Sequence, residues 1–488
     1  MSSAGAGFPF FSFTGKFRIL HLTWFAFFVS FLVWFNHAPL LLVIQQQFAL
    51  SDQQLKTLLI LNVALTIPAR IVVGMLVDSF GPRNIYSLLL GATALLCFYF
   101  SCASSFEALA LSRFLLGFAG AGFVIGIRMI SEWFPARQLG LAEGIYKGLG
   151  NIGSAAAAVS LPSIALVWGG EDGWRYATAL TGMIAFVFAV IYFYSVSDTP
   201  AGSTYFKPNK SGGLEVTSKK DFALYLLMNI PMYAAMAVLA WKVTSLGLMP
   251  TLALYTTYTM LVLLYIYQCR KIYAVNDRLF SSGTKPFNPY KFKQVAILSL
   301  AYAVTFGSEL AVVSMLPMFF QSTFAVPVAL AGLFGASFAA VDIASCPSGG
   351  FISDQLGRKR SLAFLLAGAA LGFTLLSCIT NAWPIALAVA AMMGSSFFLG
   401  SAAGCVFAMV PLIRRSLTGQ IAGIVGAYGN IGAVFFLTVF SFVSTPVFFM
   451  VIAASIAIAS AAAMLLDEPS NTLVEVLPDG SVQQIEIH

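Results

Sequence analysis

Residues 67–83 read IPARIVVGMLVDSFGPR and contain the frame G-x-x-x-D-x-x-G-x-R, which begins at Gly74. Residues 344–360 read ASCPSGGFISDQLGRKR and contain the same frame with a final lysine, beginning at Gly350. The copies differ four residues before the first glycine, where one has Arg70 and the other has Cys346. A frame that occurs twice in one chain indicates an internal repeat.

Further matched segments lie at nearly the same separation. GLAEGIYKGLGNIG at 140–153 is repeated as GQIAGIVGAYGNIG at 419–432, 279 positions later. Pro39, late in the first apolar segment, is matched by Pro317, 278 positions later. The glycines and the aspartate of the frame are matched 276 positions apart. This regular offset predicts two homologous halves.

The composition is typical of a protein embedded in a lipid bilayer. Of the 488 residues, 59% are hydrophobic and 9% are charged, whereas soluble domains have roughly 25% charged residues. The apolar runs are continuous and about twenty residues long, which favours membrane-crossing helices over the alternating ten-residue strands of a barrel. The predicted fold class is therefore an all-α polytopic membrane protein.

Fourteen apolar segments follow one another along the chain. They cover 20–44, 56–78, 84–104, 109–130, 139–167, 175–197, 222–241, 247–269, 294–319, 328–352, 361–380, 383–409, 418–442 and 445–466. Combined with the repeat, they predict two six-helix halves, with an extra hydrophobic helix pair in the connector. The expected divisions are an N-terminal half at 1–200, a connector at 201–292, a C-terminal half at 293–466 and an acidic cytosolic tail at 467–488. Parallel six-span repeats are typical of transporters that bind substrate at the midplane between the halves.

The connections between the segments alternate in charge. The basic side includes Lys16, Arg83, Arg137, Lys207, Arg270, Arg358 and Arg414. The other side has little beyond Lys56 and Arg175. Under the positive-inside rule both termini are cytosolic. We expect an integral protein of the plasma (inner) membrane, with the net charge of +7 marking sidedness and no binding of nucleic acid.

Several functional classes find no support in the sequence. The six cysteines form no C-x-x-C pair or framework, so neither a metal site nor disulfides are predicted. There is no phosphate-binding loop and no nucleophile–base arrangement, so we expect no enzymatic activity and no cofactor. The first apolar run is of full length, which indicates a first span rather than a removable signal.

Arg70 is the first candidate binding residue. It precedes Asp78 by eight residues, which places it roughly 12 Å inside the second span, near the middle of a bilayer core of about 30 Å. Arginine at that depth costs about 2.5–3.5 kcal/mol and normally faces a cavity or a partner. Since no acid in the first six spans lies at similar depth, an anionic substrate is the expected partner, with a structural ion pair as the alternative.

The repeated segments contain a second pair of candidates. Gly140, Gly144 and Gly148 recur every fourth residue and predict a smooth face for close helix contact. Packing does not explain an asparagine at the same place in both copies, Asn151 and Asn430. Because an amide offers donors and an acceptor, we expect these two side chains to contact a small planar oxyanion or to act in gating.

The frame resembles the loop signature of the major facilitator superfamily, and Arg113-F-L-L-Gly117 resembles its helix-4 motif. The residues that carry this resemblance are assigned to conformational motifs. They are Gly74, Asp78, Gly81, Arg83, Gly350, Asp354, Gly357, Arg358 and Arg113.

The paired G-L-G-N-I-G and A-Y-G-N-I-G sequences resemble the two signatures of the nitrate/nitrite porter family. The segments 17–35, 122–140, 305–317 and 418–433 are similar to its cyanobacterial branch. The resemblance implies that nitrate is held between two arginines, and it assigns the first of these to Arg70. Cys346 stands at the second, and Asp342 stands where the branch has a neutral residue. The resemblance adds signature residues to the pocket: Gly150, Gly429 and Tyr428. Phe306, one turn before Glu309, is a further candidate, because its ring could stack on a planar ligand.

Two acids are candidates for proton coupling. Glu309 lies about fifteen residues inside its span, and a carboxyl group within a membrane is by default a proton-relay hypothesis. Asp342 is the second candidate, and a hydrogen-bonded structural acid is the alternative for both. Lys147 lies within the first signature and could pair with either acid or extend toward the cytosolic side.

The expected function is secondary active transport of nitrate or nitrite, with protons driving uptake and the lipid bilayer as the surroundings. Since Cys346 replaces an arginine, other functions stay open. The substrate could be another small solute, the chain could be a membrane sensor that does not transport, or it could export cationic or neutral compounds.

Overall fold

The computed structural model describes residues 9–51, 54, 58, 61–63, 65–168, 172–203, 205, 213–245, 249–281, 290–326, 328–440, 442–468, 472–476 and 482–486. Lys56 and Lys207, which were used for the sidedness prediction, lie outside these residues, as do parts of the predicted tail.

The described chain is helical almost throughout. Its helices are α1 (Gly15–Phe35), α2 (Leu41–Gln47), α3 (Thr66–Phe80), α4 (Pro82–Ser101), α5 (Phe106–Leu116), α6 (Gly122–Trp133), α7 (Ala136–Trp168), α8 (Gly173–Ser195), α9 (Lys219–Ser245), α10 (Thr251–Val275), α11 (Arg278–Ser281), α12 (Phe292–Phe324), α13 (Val328–Ala340), α14 (Asp342–Leu356), α15 (Arg358–Ser377), α16 (Ile385–Ile413), α17 (Thr418–Phe440) and α18 (Thr445–Ala463). Short 3-10 helices cover Ala38–Leu40, Gly117–Ala121 and Arg415–Leu417. Within these residues, thirteen helices are long and apolar enough to cross a membrane. The predicted fold class is confirmed.

One predicted span is wrong in its continuity. The apolar segment 328–352 forms two helices, α13 and α14, with a turn at Val341 between them. Pro347 lies inside α14 and cannot donate to the carbonyl of Ile343. Asp342 occupies the first turn of α14, where the positive end of a helix favours an acid. Asp342 is buried, so this first turn lies inside the bundle.

The two halves meet along two helix pairs that glycines hold in close contact. In the first pair, a Cβ at Gly423 of α17 would lie 2.6 Å from the carbonyl oxygen of Arg70 on α3. In the second pair, a Cβ at Gly144 of α7 would lie 2.5 Å from the carbonyl oxygen of Cys346 on α14. Side chains at these positions would separate the helices, so the small faces predicted from the repeat are the contacts between the halves.

The frame ends each of its two helices in the same way. Gly81 after α3 and Gly357 after α14 have φ angles of 86° and 91°, which favour glycine. The next helix in each half is then capped by a carboxylate: the Arg83 amide donates to Asp198 at 2.8 Å, and the Arg358 amide donates to Glu468 at 2.6 Å. The repeat seen in the sequence is therefore also a repeat of backbone geometry.

The connector helices α9 and α10 form an antiparallel unit against the C-terminal half. The Gln268 side chain of α10 donates to the Asn229 side chain of α9 at 2.9 Å. The Tyr428 hydroxyl of α17 donates to the Met228 carbonyl of α9 at 2.7 Å. The first bond joins the two connector helices, and the second attaches them to the helix bundle.

The tail contains the strands β1 (Thr472–Val476) and β2 (Val482–Glu486), which pair antiparallel with Thr472 opposite Glu486. The sequence analysis predicted only a polar appendage here.

Candidate functional site

Arg70 lies at the interface between the halves and is 1% exposed. Its Nε donates to the Gly120 carbonyl at 3.1 Å, and its Nη1 donates to the Gly426 carbonyl at 2.7 Å. No carboxylate pairs with it among the residues that the structure describes. Two carbonyl dipoles orient the guanidinium but leave its charge unneutralised.

The Gly120 carbonyl is presented by an irregular turn within the fourth span. The 3-10 helix Gly117–Ala121 interrupts the span between α5 and α6. The Thr66 hydroxyl, one turn before Arg70 on α3, donates to the Gly117 carbonyl at 2.8 Å. A short 3-10 segment within a longer helix often marks a functional position, and here it directs a backbone acceptor toward Arg70.

Three aromatic rings form a parallel stack beside Arg70. Tyr302 stacks on Phe123 at 6.2 Å with an interplanar angle of 2°, and on Phe306 at 5.2 Å with an angle of 6°. The Arg70 guanidinium carbon lies 5.5 Å from the Phe123 centroid and 5.2 Å from the Phe306 centroid. We call Phe123, Tyr302 and Phe306 the aromatic stack. It joins α6 of the first half to α12 of the second.

A buried lysine also lies near Phe306. Lys147 Nζ is 5.9 Å from the Phe306 centroid, 3.6 Å from Glu309 Oε2 and 4.0 Å from Asp342 Oδ2. All three charged residues are buried. We call Lys147, Glu309 and Asp342 the lysine cluster. It brings together one residue from the first half, on α7, and two from the second, on α12 and α14.

The two signature asparagines differ in their surroundings. The Asn151 amide is 3.5 Å from Asp342 Oδ2, so Asn151 adjoins the lysine cluster. Asn430 is fully buried, and neither its Nδ2 nor its Oδ1 has a hydrogen-bond partner among the described residues. An amide that is buried without partners is unfavourable by about 1–3 kcal/mol. Asn430 follows Gly426 by one helical turn, which places it near the Arg70 contact.

Two residues assigned to the pocket by resemblance make other contacts. A Cβ at Gly150 would meet the Phe27 ring of α1, so Gly150 packs closely against that helix. The Tyr428 hydroxyl donates to the Met228 carbonyl of the connector. Gly429 does border the aromatic stack, since its Cβ would lie 2.7 Å from Tyr302 and 2.8 Å from Phe306.

Cys346 is fully buried on α14. Its backbone contacts Gly144 of α7 and Gly404 of α16, and the Lys147 ammonium adjoins its thiol. The position that corresponds to Arg70 therefore faces a lysine from the neighbouring helix.

The conformational motif residues form networks at one end of the molecule, which we call the motif face. Asp78 accepts from the amides of Gly419 and Gln420 at 2.9 and 2.8 Å and pairs with Arg128 at 3.2 Å. Arg415 of the second half lies 3.3 Å from Glu132 of the first. These contacts fasten the two halves together.

The second copy of the frame makes an analogous link. Asp354 accepts from the Leu141 amide at 3.1 Å and pairs with Arg358 at 2.9 Å. In the first copy the corresponding acid, Asp78, pairs with Arg128 of α6. Arg83 instead donates to the Phe193 carbonyl at 2.7 Å and lies over the Phe193 ring.

Arg113 lies apart from both networks. Its Nη1 is 3.0 Å from His37 Nδ1, and its guanidinium carbon is 3.8 Å from the Phe100 centroid. It is fully buried inside the first half, so the structure does not bring it to the aromatic stack.

Sequence reasoning missed several residues of the site. Tyr302 and Phe123 were two among many aromatic residues, and Arg128 carried no motif. Lys147 lies within the first signature, but the sequence alone does not determine its depth in the membrane. A signal was present, because Lys147 aligns with Gly426 in the repeat, and a charge that occurs in only one copy marks an asymmetric function.

Comparison with known proteins now adds to this geometry. The model of the Major Facilitator Superfamily matches residues 23–284. In overall shape the chain resembles the crystal structure of the human organic anion transporter MFSD10, with a TM-score of 0.62 and 12% identity over 92% of this chain and all of that one. This likeness supports the fold.

Relatives of closer sequence share nearly the full length. The nitrate/nitrite transporter NrtP of Picosynechococcus sp. is 46% identical, covering 88% of this chain and 85% of the relative. The nitrate/nitrite transporter NrtP of Nostoc punctiforme is 42% identical, covering 95% and 94%. The chain therefore belongs to the major facilitator superfamily and, within it, to the nitrate/nitrite porter family.

Proposed function

We propose that this protein transports nitrate or nitrite across a membrane by proton-coupled alternating access. The observation that carries the proposal is Arg70, which is buried between the halves with no carboxylate partner among the described residues. A buried charge is costly unless a counter-charge reaches it. A small anion supplies that counter-charge, and relatives of closely similar sequence are named nitrate/nitrite transporters.

The surroundings of Arg70 favour a flat acceptor. Nitrate is planar, and its oxygens accept hydrogen bonds but cannot donate them. The guanidinium is itself planar and donates in a fork, Asn430 offers an unpartnered amide, and the aromatic stack provides flat apolar walls. An organic cation would meet Arg70 as a like charge, which argues against the export of cations.

Proton coupling would offset the electrical cost of importing an anion. Moving one negative charge into a cell that is negative inside is opposed by about 2.3 kcal/mol per 100 mV. Two protons per anion would reverse the sign of the transported charge. Glu309 and Asp342 are the proposed carriers, because both are buried beside Lys147 and a single lysine cannot neutralise two carboxylates.

Alternating access would separate the halves at the motif face. The bonds of Asp78 and Asp354 cross between the halves there, and the glycine contacts of α3 with α17 and of α7 with α14 provide smooth surfaces for movement. Rocking about the Arg70 region would then expose the pocket to each side in turn.

The test is nitrate uptake into proteoliposomes under an imposed pH gradient. Arg70→Lys should lower the affinity about ten- to a hundredfold, because the point charge of lysine loses the forked donor set. Arg18→Lys is the matched control, since Arg18 is exposed on α1. Uptake by Arg70→Lys at the affinity of the native chain would contradict the proposed site, and absence of any nitrate uptake by the native chain would contradict the function.

A second variant tests the coupling. Glu309→Gln cannot take up or release a proton, so nitrate accumulation driven by the pH gradient should fall at least tenfold while nitrate binding persists. Glu107→Gln is the control, because Glu107 is exposed at the start of α5. Proton-driven accumulation by Glu309→Gln at the native level would remove Glu309 as a carrier.

A further inference from the structure

We propose that Lys147 is the second anion-binding cation of this pocket, and that the positive charge has moved from α14 to the neighbouring helix α7. The inference rests on the proposed function, since it names a further residue that holds the transported anion. It explains how a chain with Cys346 opposite Arg70 can keep two cations at its centre.

The internal repeat shows which positions of the two halves correspond, and therefore where the cation has changed place. Arg70 corresponds to Cys346 in the repeated frame, 276 positions apart, and Gly426 corresponds to Lys147, 279 positions apart. The contact of α3 with α17 therefore presents an arginine and a glycine, while the contact of α7 with α14 presents a lysine and a cysteine. At each contact the first half supplies a long cationic side chain and the second half supplies a small residue.

The structure places the members of each pair against each other. Arg70 Nη1 donates to the Gly426 carbonyl at 2.7 Å, across the contact of α3 with α17. The Lys147 ammonium adjoins the Cys346 thiol, across the contact of α7 with α14. Gly423 and Gly144 are themselves counterparts in the repeat, and they hold the two helix pairs at matching points. Lys147 thus occupies the space that a small residue at 346 leaves free.

Both cations reach the same side chain. The Phe306 centroid is 5.2 Å from the Arg70 guanidinium carbon and 5.9 Å from Lys147 Nζ. Any anion bound at Phe306 is therefore within the field of both. The Tyr302 ring stacks on Phe306, with 5.2 Å between the ring centroids.

The ammonium is not saturated by its acids. Its distances of 3.6 Å to Glu309 and 4.0 Å to Asp342 exceed the 2.7–2.9 Å of strong charged hydrogen bonds. Among the described residues, Nζ has no hydrogen-bond partner. Its donors are thus not all held by the acids, and an oxyanion that enters beside Phe306 can accept from them.

The acids would make anion binding depend on protons. The titratable groups facing Lys147 are Glu309 and Tyr302 on α12 and Asp342 and Cys346 on α14, with Arg70 on α3 beyond Phe306. An anion beside Lys147 meets repulsion from both carboxylates. Protonating one of them removes that repulsion and releases the lysine to the anion, which links nitrate binding to proton binding at one cluster.

The proposal is tested with variants that remove the charge at Lys147 or restore an arginine at Cys346. Nitrate binding is measured by isothermal titration calorimetry on the purified full-length chain, together with uptake in proteoliposomes. Lys147→Met should weaken nitrate binding about ten- to a hundredfold, whereas Lys147→Arg should stay within about threefold of the native chain. The double variant Lys147→Gly with Cys346→Arg, which copies the arginine–glycine pair of the contact of α3 with α17, should bind nitrate at least tenfold more tightly than Lys147→Gly alone.

The double variant keeps the test decisive if Lys147→Met does not fold. Nitrate binding by Lys147→Met at native affinity, or no gain on adding Cys346→Arg to Lys147→Gly, would overturn the assignment of Lys147 while the proposed function stands. Absence of nitrate binding by both the native chain and the double variant would overturn the proposed function itself. Binding by the double variant but not by the native chain would show that Lys147 does not serve as the second cation.

Discussion

Asn430 is fully buried on α17 with both atoms of its amide unpartnered among the described residues, while Arg70, one helix away, is held by two backbone carbonyls and no acid. At the scale of single residues, these unsatisfied groups define the site better than any motif does. Folding alone would select against them, because a buried amide without partners destabilises the protein by about 1–3 kcal/mol. Their retention is explained by a ligand that completes them.

This reasoning predicts opposite effects of Asn430→Leu on stability and on binding. Replacing an unsatisfied buried amide with an apolar side chain of similar size should leave the melting temperature unchanged or raise it. Nitrate affinity should fall about tenfold, because one hydrogen bond to a charged ligand is lost. Thermal unfolding and nitrate titration of the same sample measure both.

Asn36→Leu is the matched control. The Asn36 amide is buried in the first half but donates to the Thr181 hydroxyl at 2.7 Å. This change should lower the stability by about 1–3 kcal/mol without altering nitrate affinity. Equal losses of stability in the two leucine variants would show that Asn430 is structural.

At the scale of elements, the paired helices depend on backbone contact. The Gly144 Cα faces the Cys346 carbonyl on α14, and Gly423 faces the Arg70 carbonyl on α3. Without side chains between them, α7 and α14 approach closely enough for Lys147 to reach Glu309 and Asp342. The spacing of the helices therefore sets the geometry of the charges.

Gly144→Ala should disrupt this spacing. The added Cβ would lie 2.5 Å from the Cys346 carbonyl oxygen, which is backbone and cannot rotate away. Such overpacking costs about 1–3 kcal/mol, and we expect transport to fall at least tenfold as the lysine cluster is pulled apart. Unfolding temperature and uptake rate are the measurements.

The control for this change is Gly91→Ala on α4. A Cβ at Gly91 meets nothing within 4 Å, so the substitution should leave transport intact and raise stability by about 0.4–1 kcal/mol. If Gly144→Ala transported as well as Gly91→Ala does, close contact of α7 with α14 would not be needed for function.

At the scale of the whole molecule, the structure is closed at the motif face. Asp78 holds the first turn of α17 through two backbone amides and also pairs with Arg128 of its own half. Asp354 likewise accepts a hydrogen bond from a backbone amide of the opposite half, that of Leu141 on α7. In the proposed alternating-access cycle, carboxylates that accept from the opposite half in this arrangement would stabilise one end state.

Asp78→Asn should shift the molecule toward opening at this face. The asparagine side chain has one uncharged oxygen, so it cannot accept from the Gly419 and Gln420 amides as the two carboxylate oxygens of Asp78 do. It also leaves Arg128 without the counter-charge of Asp78. A loss of about 1.4 kcal/mol changes the ratio of closed to open forms about tenfold. Spin labels at Asn84 and Arg360, after replacement of the exposed Cys102 and Cys378 by serine, report the distance between the halves by electron resonance.

The distance distribution should gain a longer component in Asp78→Asn. Asp172→Asn is the control, since Asp172 bonds Arg175 and Gln47 in an exposed loop of the first half. That change should leave the distribution as in the native chain. An identical distribution for Asp78→Asn would mean that the carboxylate does not hold the halves together.

The sequence by itself determined the membrane-spanning helices, the two homologous halves and the candidacy of Arg70. Hydropathy and repeat spacing are local or periodic properties, so they are readable without coordinates. Even the contact glycines were predictable, because a four-residue spacing places small residues on one face. The break at Val341 was not, since the apolar run continues through it.

Only the tertiary structure decided what Lys147 touches. The direction of a side chain inside a bundle depends on the rotation of its helix, and that rotation is set by packing against another helix. Here Gly140, Gly144 and Gly148 seat α7 on α14, which turns Lys147 toward Glu309, Asp342 and the Phe306 ring. The difference between Arg70 and Cys346 is visible in the sequence, but the cation beside Cys346 comes from a helix that folding brings there.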